Sequence, residues 1–147
     1  GYATGTPLSG GGKADVKTLD DGITPIMGDG SADFNNLWCG PSWQNNAKST
    51  VVIDLESEAS ISDIKVFGAV FWSTVCVPGE VKIFIGSEDS ESSYQEVYTW
   101  KRSSEYETTN KYRHMEFDYQ LPSPMTGRYV KLQLTHNNEY GMAFALR

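Results

Sequence analysis

The chain has 147 residues, a net charge of −7 and a pI near 4.7, one domain's worth of sequence, enough to bury about two-thirds of the surface its unfolded form exposes. That acidity works against nucleic acid and anionic membrane surfaces, which are bound through basic patches, and the sequence shows no Lys or Arg cluster. It shows neither a run of about 18 apolar residues nor a signal-like start, so the expectation is a soluble chain.

Residues 1 to 14 are rich in Gly and Ser and read as an extended lead-in or an early edge strand, with a short strand near Val16 to Leu19. Residues 20 to 36 form a long loop in which Gly, Pro, Asp and Asn supply the turn chemistry. Its acids invite a cation. The first clear strand is V-V-I-D-L at 51 to 55, where Val51, Ile53 and Leu55 share one face; I-S-D-I-K-V-F-G at 61 to 68 follows, with Ile64 and Val66 on one face and Lys65 turned outward. A short polar turn between the two predicts a hairpin. The alternation returns at Val81, Ile83 and Ile85 and at Val130, Leu132 and Leu134, and further strands are predicted at 94 to 100, 113 to 119, 127 to 135 and 142 to 147. With no helical period, no internal repeat and no heptad, the expectation is one all-β domain, an antiparallel β-sandwich of about eight strands.

If consecutive strands run antiparallel, the loops at 37 to 50, 68 to 79 and 101 to 112 gather at one end of the sandwich. They carry Trp38, Trp43, Phe71, Trp72, Tyr106 and Tyr112. Cys39 and Cys76 fall in two of these loops, so either a disulfide between them or a pair of buried thiols fits the sequence. With two histidines in the chain and neither at ligand spacing to a cysteine, a zinc site is not expected. Phe117 and Tyr129 lie in strand-like runs and read as core.

Nothing in the chain assembles an active site. There is no G-x-S-x-G, the G-G-G-K at 10 to 13 lacks the spacing of a phosphate-binding loop, and His114 and His136 have no Ser or Cys partner at a recognisable position. Glu56 and Glu58 sit in the predicted turn and read as solvated. The expectation is a domain that is not an enzyme.

The order of motifs resembles the discoidin, or coagulation-factor C-type, domain of galactose-binding-like fold, and most of all the bacterial family 32 carbohydrate-binding modules. The matching pieces are L-D-D-G at 19 to 22, Trp38, V-V-I-D-L at 51 to 55, I-S-D-I-K-V-F-G at 61 to 68, V-K-I-F-I-G-S at 81 to 87 and G-R-Y-V-K-L at 127 to 132. The resemblance implies a β-sandwich (jelly roll) whose ligand site lies on the end loops, here Cys39 to Lys48, Ala69 to Pro78 and His136 to Gly141. It also implies a structural Ca2+ held by Asp21, with Asp29 or Asp33, through hard oxygen ligands; the bland alternative is that Asp20 and Asp21 cap a turn. Two departures stand out. Sixteen positions separate Gly22 from Trp38, more than the family's usual spacing, and F-W-S-T-V-C stands where galactose-binding members often carry an Arg.

A pyranose presents an apolar face of C–H groups and an edge of hydroxyls, so its receptor is an aromatic plate flanked by fixed polar groups. Trp72, Trp43 and Tyr140, with Phe71 beside them, offer the plate; Asn45, Asn46, Asn138 and Glu139, with Gln44 and Asn137, offer donors and acceptors. The reading that follows is a non-catalytic module binding a glycan weakly at a single site, tethered to a catalytic domain such as a glycoside hydrolase in an exported bacterial protein. The rival is a module of the same fold that binds a protein or a phospholipid surface through Phe71 and Trp72, with the acidic balance opposing anionic lipid.

Overall fold

The computed structural model describes residues 2–3, 28–29, 38–41, 48–70, 75–103, 113–136 and 143–146, with side chains at 48–68, 77–103 and 116–136. The predicted strand near Val16 to Leu19 lies outside the described residues. The strands are β1 (Tyr2–Ala3), β2 (Gly28–Asp29), β3 (Trp38–Pro41), β4 (Lys48–Val70), β5 (Val75–Cys76), β6 (Glu80–Gly86), β7 (Gln95–Lys101), β8 (Arg113–Thr135) and β9 (Ala143–Leu146). Hydrogen-bonded neighbours run β3-β9-β4-β8-β6-β7, with β1 on β4, β2 on β8 and β5 on β9. Every pairing is antiparallel except that of β5 with β9.

The segments 51 to 55 and 61 to 68 do not form a hairpin with each other. Both belong to β4, which pairs along its length with β8, from Lys48↔Thr135 to Val70↔Arg113. Likewise 113 to 119 and 127 to 135 are one strand. What reads as a polar turn, Leu55 to Glu58, is extra length on β4 between Asp54 and Ala59, and Leu121 to Pro124 is extra length on β8 between Gln120 and Met125. Inserted residues bend and twist a ladder, and the prolines at 122 and 124 have no N–H to pair there. The corner costs the inward face its alternation: Val51 is fully buried, Ile53 half-buried, and Leu55 37% exposed.

The bent ladder folds over itself into two layers, as in sandwiches whose strands change sheets at a corner. Residues 48–54 of β4, 129–135 of β8, β6 and β7 make the first layer; the remainder of β4 and β8, with β9 and β3, makes the second. Ring contacts join them: Trp100 lies 4.6 Å from Phe117 and Tyr98 4.9 Å from Tyr119, centroid to centroid. Between the layers lie Val51, Ile61, Val66, Val81, Ile83, Ile85, Phe117, Val130, Leu132 and Leu134, all buried. Tyr129, expected in the core, is half-buried on the outer side, where the Arg128 guanidinium lies 5.1 Å from its ring centre.

An ion pair locks the corner. Arg128 Nε and Nη2 donate to the two carboxylate oxygens of Asp54 at 2.7 and 2.9 Å, and the Glu56 backbone N–H donates to Asp54 Oδ1 at 2.8 Å. These bonds, Arg128's first, hold the Asp54 carboxyl at about 2, below its ordinary 3.8. A depressed carboxyl pKa stabilises the fold above the unfolded value and loses that contribution as pH falls through the folded one. Stability is therefore expected to fall between pH 4 and 2, and Asp54→Asn to flatten that slope in acid titrations followed by circular dichroism. An unchanged slope would remove Asp54 as its source. Glu56 takes φ of 68° here, the left-handed region that L-residues rarely adopt.

On the outer face of the first layer Lys131 is nearly buried. Its Nζ lies 4.1 Å from the Tyr94 ring centre and 4.7 Å from that of Phe84, and donates to Glu91 Oε1 at 2.9 Å. The turn carrying Glu91 and Tyr94 is itself closed by Ser93 Oγ, which accepts from the N–H groups of Ser87 and Glu88, both at 2.9 Å. A cation between two rings with its charge answered by a carboxylate is self-contained chemistry, and it ties this turn to the sheet.

Candidate functional site

The folded ladder brings both of its ends to the same place. In the first layer Lys48 pairs with Thr135, Thr135 with Glu80 and Glu80 with Lys101, so β4 and β6 begin where β7 and β8 end. In the second, Trp100 lies over Phe117 and Tyr98 over Tyr119, which orients β8 so that Arg113 and its partner Val70 fall at that same end. β9 extends the row, with Ala143 paired to both Pro41 and Val75. Segments 42–47, 71–74, 104–112 and 137–142 are thus all bounded by strand ends at one pole of the sandwich. The convergence expected from simple alternation holds for a different reason, a ladder doubled back on itself.

The roots of these segments are tied together. Gly79 donates its N–H to the Thr135 carbonyl at 2.9 Å, Arg102 donates its N–H to the Gly79 carbonyl at 2.9 Å, and Arg102 Nη1 donates to the Val77 carbonyl at 3.0 Å. Pro78 between them has no N–H to satisfy. Ser49 and His136 are each 1% exposed at this pole. Arg102, half-buried, was not anticipated. Its only signal in the sequence is the W-K-R that ends a strand.

Trp43, Asn45, Asn46, Phe71, Trp72, Asn138, Glu139 and Tyr140 lie outside the described residues. The described residues that bracket them are Pro41 and Lys48, Val70 and Val75, and His136 and Ala143, all at this pole. Of the acids proposed for calcium, Asp21 and Asp33 lie outside the described residues, while Asp29 is on β2, in register with Arg113. Cys39 and Cys76 stand on strands rather than in loops: Cys39 pairs with Ala145 and Cys76 with Phe144, on opposite sides of β9. Two inter-strand spacings set their backbones roughly 9 to 10 Å apart, and a disulfide closes without backbone movement only within about 7 Å.

Comparison with known proteins agrees with this architecture. The family model described as F5/8 type C domain matches residues 10–146. Among solved structures, the C-terminal domain of a chitobiase from Bacteroides fragilis superposes with a TM-score of 0.61 at 16% identity, covering 99% of this chain and 86% of that one. The family 32 carbohydrate-binding module of Clostridium perfringens NanJ, solved with galactose, gives 0.59 at 10% identity over 99% and 93%. The family 32 module of AlyQ, solved with 4,5-unsaturated mannuronic acid, gives 0.54 at 19% over 99% and 88%. At such identities the likeness is one of fold. No curated protein sequence matches the chain. A family match that runs through nearly all of the sequence, on a doubled-back β-sandwich, settles where this chain belongs: it is a member of the F5/8 type C, or discoidin, domain family.

Proposed function

We propose that this domain is a non-catalytic carbohydrate-binding module that holds a glycan at the pole where its connecting segments meet. One observation carries the reading: the strand ends bounding 42–47, 71–74 and 137–142 lie together, so the segments holding Trp43, Phe71, Trp72 and Tyr140 share a pole with those holding Asn45, Asn46, Asn138 and Glu139. Aromatic plates beside fixed amides and a carboxylate suit the apolar face and hydroxyl edge of a pyranose. The sugars named with the neighbouring structures, galactose and a mannuronic acid, are of the class that such a surface recognises.

The domain works, on this reading, as a targeting module for an appended catalytic domain in an exported bacterial protein, weak at one site and strengthened by multivalency. Calcium held by Asp21, Asp29 and Asp33 steadies the long 20 to 36 segment, as oxygen donors of this kind do for hard cations. A glycan array of the intact domain beside Trp72→Ala, with and without chelator, tests all of this. Wild-type binding is expected to fall by about tenfold or more in the variant, with an unchanged far-ultraviolet spectrum, and to weaken with chelator. Binding to lipid vesicles with no response to any glycan would replace this reading with a membrane-directed one.

A further inference from the structure

β5 and β6 belong to different layers: β5 pairs with β9 in the second, and β6 with β7 and β8 in the first. The chain crosses from one to the other in Val77, Pro78 and Gly79, all buried. A buried crossing must find partners for its backbone polar groups outside its own ladder. Gly79 donates its N–H to the Thr135 carbonyl at 2.9 Å. Arg102 then serves two carbonyls of the crossing, that of Gly79 with its backbone N–H at 2.9 Å and that of Val77 with Nη1 at 3.0 Å. Pro78 fixes its own φ and biases Val77 toward extended backbone, so the crossing is stiff between these ties.

The two bonds from Arg102 differ in what they ask of the sequence. Most residues at 102 could offer the backbone N–H to Gly79. Reaching the Val77 carbonyl from the end of β7 takes a long side chain with a donor at its tip, and a guanidinium makes that bond charge-assisted and fixed in direction. The side chain is half-buried and Val77 is fully buried. Taking a donor from a buried carbonyl exacts its desolvation unless the backbone moves to pair it again. What would move is the root of the candidate site: Val77 follows directly on β5, which carries the chain out of the 71–74 segment where Trp72 stands, and β5 pairs with Ala143 and Phe144, just beyond the 137–142 segment that holds Tyr140.

We infer that Arg102 is a positioning residue for the glycan site: by gripping the crossing at Val77 it fixes where β5 meets the pole, and with it the placing of the 71–74 segment against the 137–142 segment. The inference rests on the carbohydrate-binding reading above and deepens it. Arg102 touches no sugar on this account. It acts through Val77 and β5, lowering the cost of ordering the aromatic and polar segments when the ligand binds, which raises affinity without any new contact.

The experiment compares the intact wild type with Arg102→Met, which keeps the apolar stem and the backbone N–H but loses the side-chain donors, and with Arg102→Lys, which restores a charged donor of nearly the same reach. Ile83→Ala, a core change in the middle of the first layer, controls for lost stability alone. Binding is read by calorimetric titration with the array glycan that gives the strongest wild-type signal, at a temperature where urea titration shows every variant folded. The indole N–H signals of the free domain are read by nuclear magnetic resonance, with that of Trp72 assigned by its absence from Trp72→Ala. Arg102→Met is expected to weaken binding by about fivefold or more and to move the Trp72 signal; Arg102→Lys recovers most of both, and Ile83→Ala, though less stable, changes neither. Wild-type binding by Arg102→Met with the Trp72 signal in place overturns the inference and leaves carbohydrate binding intact. So does a loss that Ile83→Ala reproduces or that Arg102→Lys fails to relieve. If Arg102→Met does not fold, Arg102→Gln, whose shorter side chain stops short of Val77, is read in its place by the same criteria. A folded wild type that binds no glycan on the array overturns both readings together.

Discussion

Replacing Ile83 by Ala is expected to cost about 3 to 4 kcal/mol, read as a lowered urea midpoint with little change in slope. Ile83 is fully buried, opposite Leu132 on β8 and Tyr98 on β7, in the middle of the first layer. Removing three carbons there loses their transfer energy and leaves a cavity among side chains fixed by two ladders, which cannot collapse to fill it. For a chain of this size the melting temperature should fall by roughly 10 °C. Leu55→Ala is the matched control, since Leu55 is 37% exposed at the corner; its effect should stay within a fraction of the Ile83 loss. Equal losses at the two sites would contradict the layered core.

A comparable loss is expected from adding atoms at Gly127. This glycine is buried opposite Ala59, where β4 and β8 turn the corner. A Cβ built there would overlap Ile85 Cγ2 and come within 3.1 Å of the Gly86 carbonyl oxygen. The oxygen belongs to β6 backbone, held in register with β8 at Gly86↔Tyr129, so it cannot step aside cheaply. Gly127→Ala is expected to cost about 2 kcal/mol and Gly127→Val more, as overpacking strains neighbours that have no free volume. Ile85→Ala removes the first clash, so the double variant with Gly127→Ala should lose less than the sum of its parts, a coupling that a double-mutant cycle reads directly. Strict additivity would show that the corner relaxes around the methyl group by another route.

Much of this was legible from single residues. The alternation at Val81, Ile83 and Ile85 and at Val130, Leu132 and Leu134 predicted both the strands and their buried faces, because a side chain's side of the sheet depends only on its own parity. Phe117 is in the core as expected, whereas Tyr129, in an equally strand-like run, is on the outer side of its strand. The misreadings share a cause. E-S-E-A-S at 56 to 60 has the composition of a tight turn, and composition cannot tell a hairpin from a bulged corner within one long strand. That depends on β8, more than fifty positions away, offering backbone groups along the whole of β4. Cys39 and Cys76 read as neighbours while they were taken for loop residues; β9, pairing with both of their strands, separates them.

The sequence by itself determined the all-β class, most of the residues that face inward and, through its ordered motifs, the family, since each of these is encoded in local pattern and survives any choice of partner strand. Only the tertiary structure decided that β4 and β8 are continuous and that their doubled ladder brings the strand ends bounding 42–47, 71–74, 104–112 and 137–142 to one pole. Pairing and doubling back are relations between residues far apart in the chain, and they come into being only when the layers close on each other.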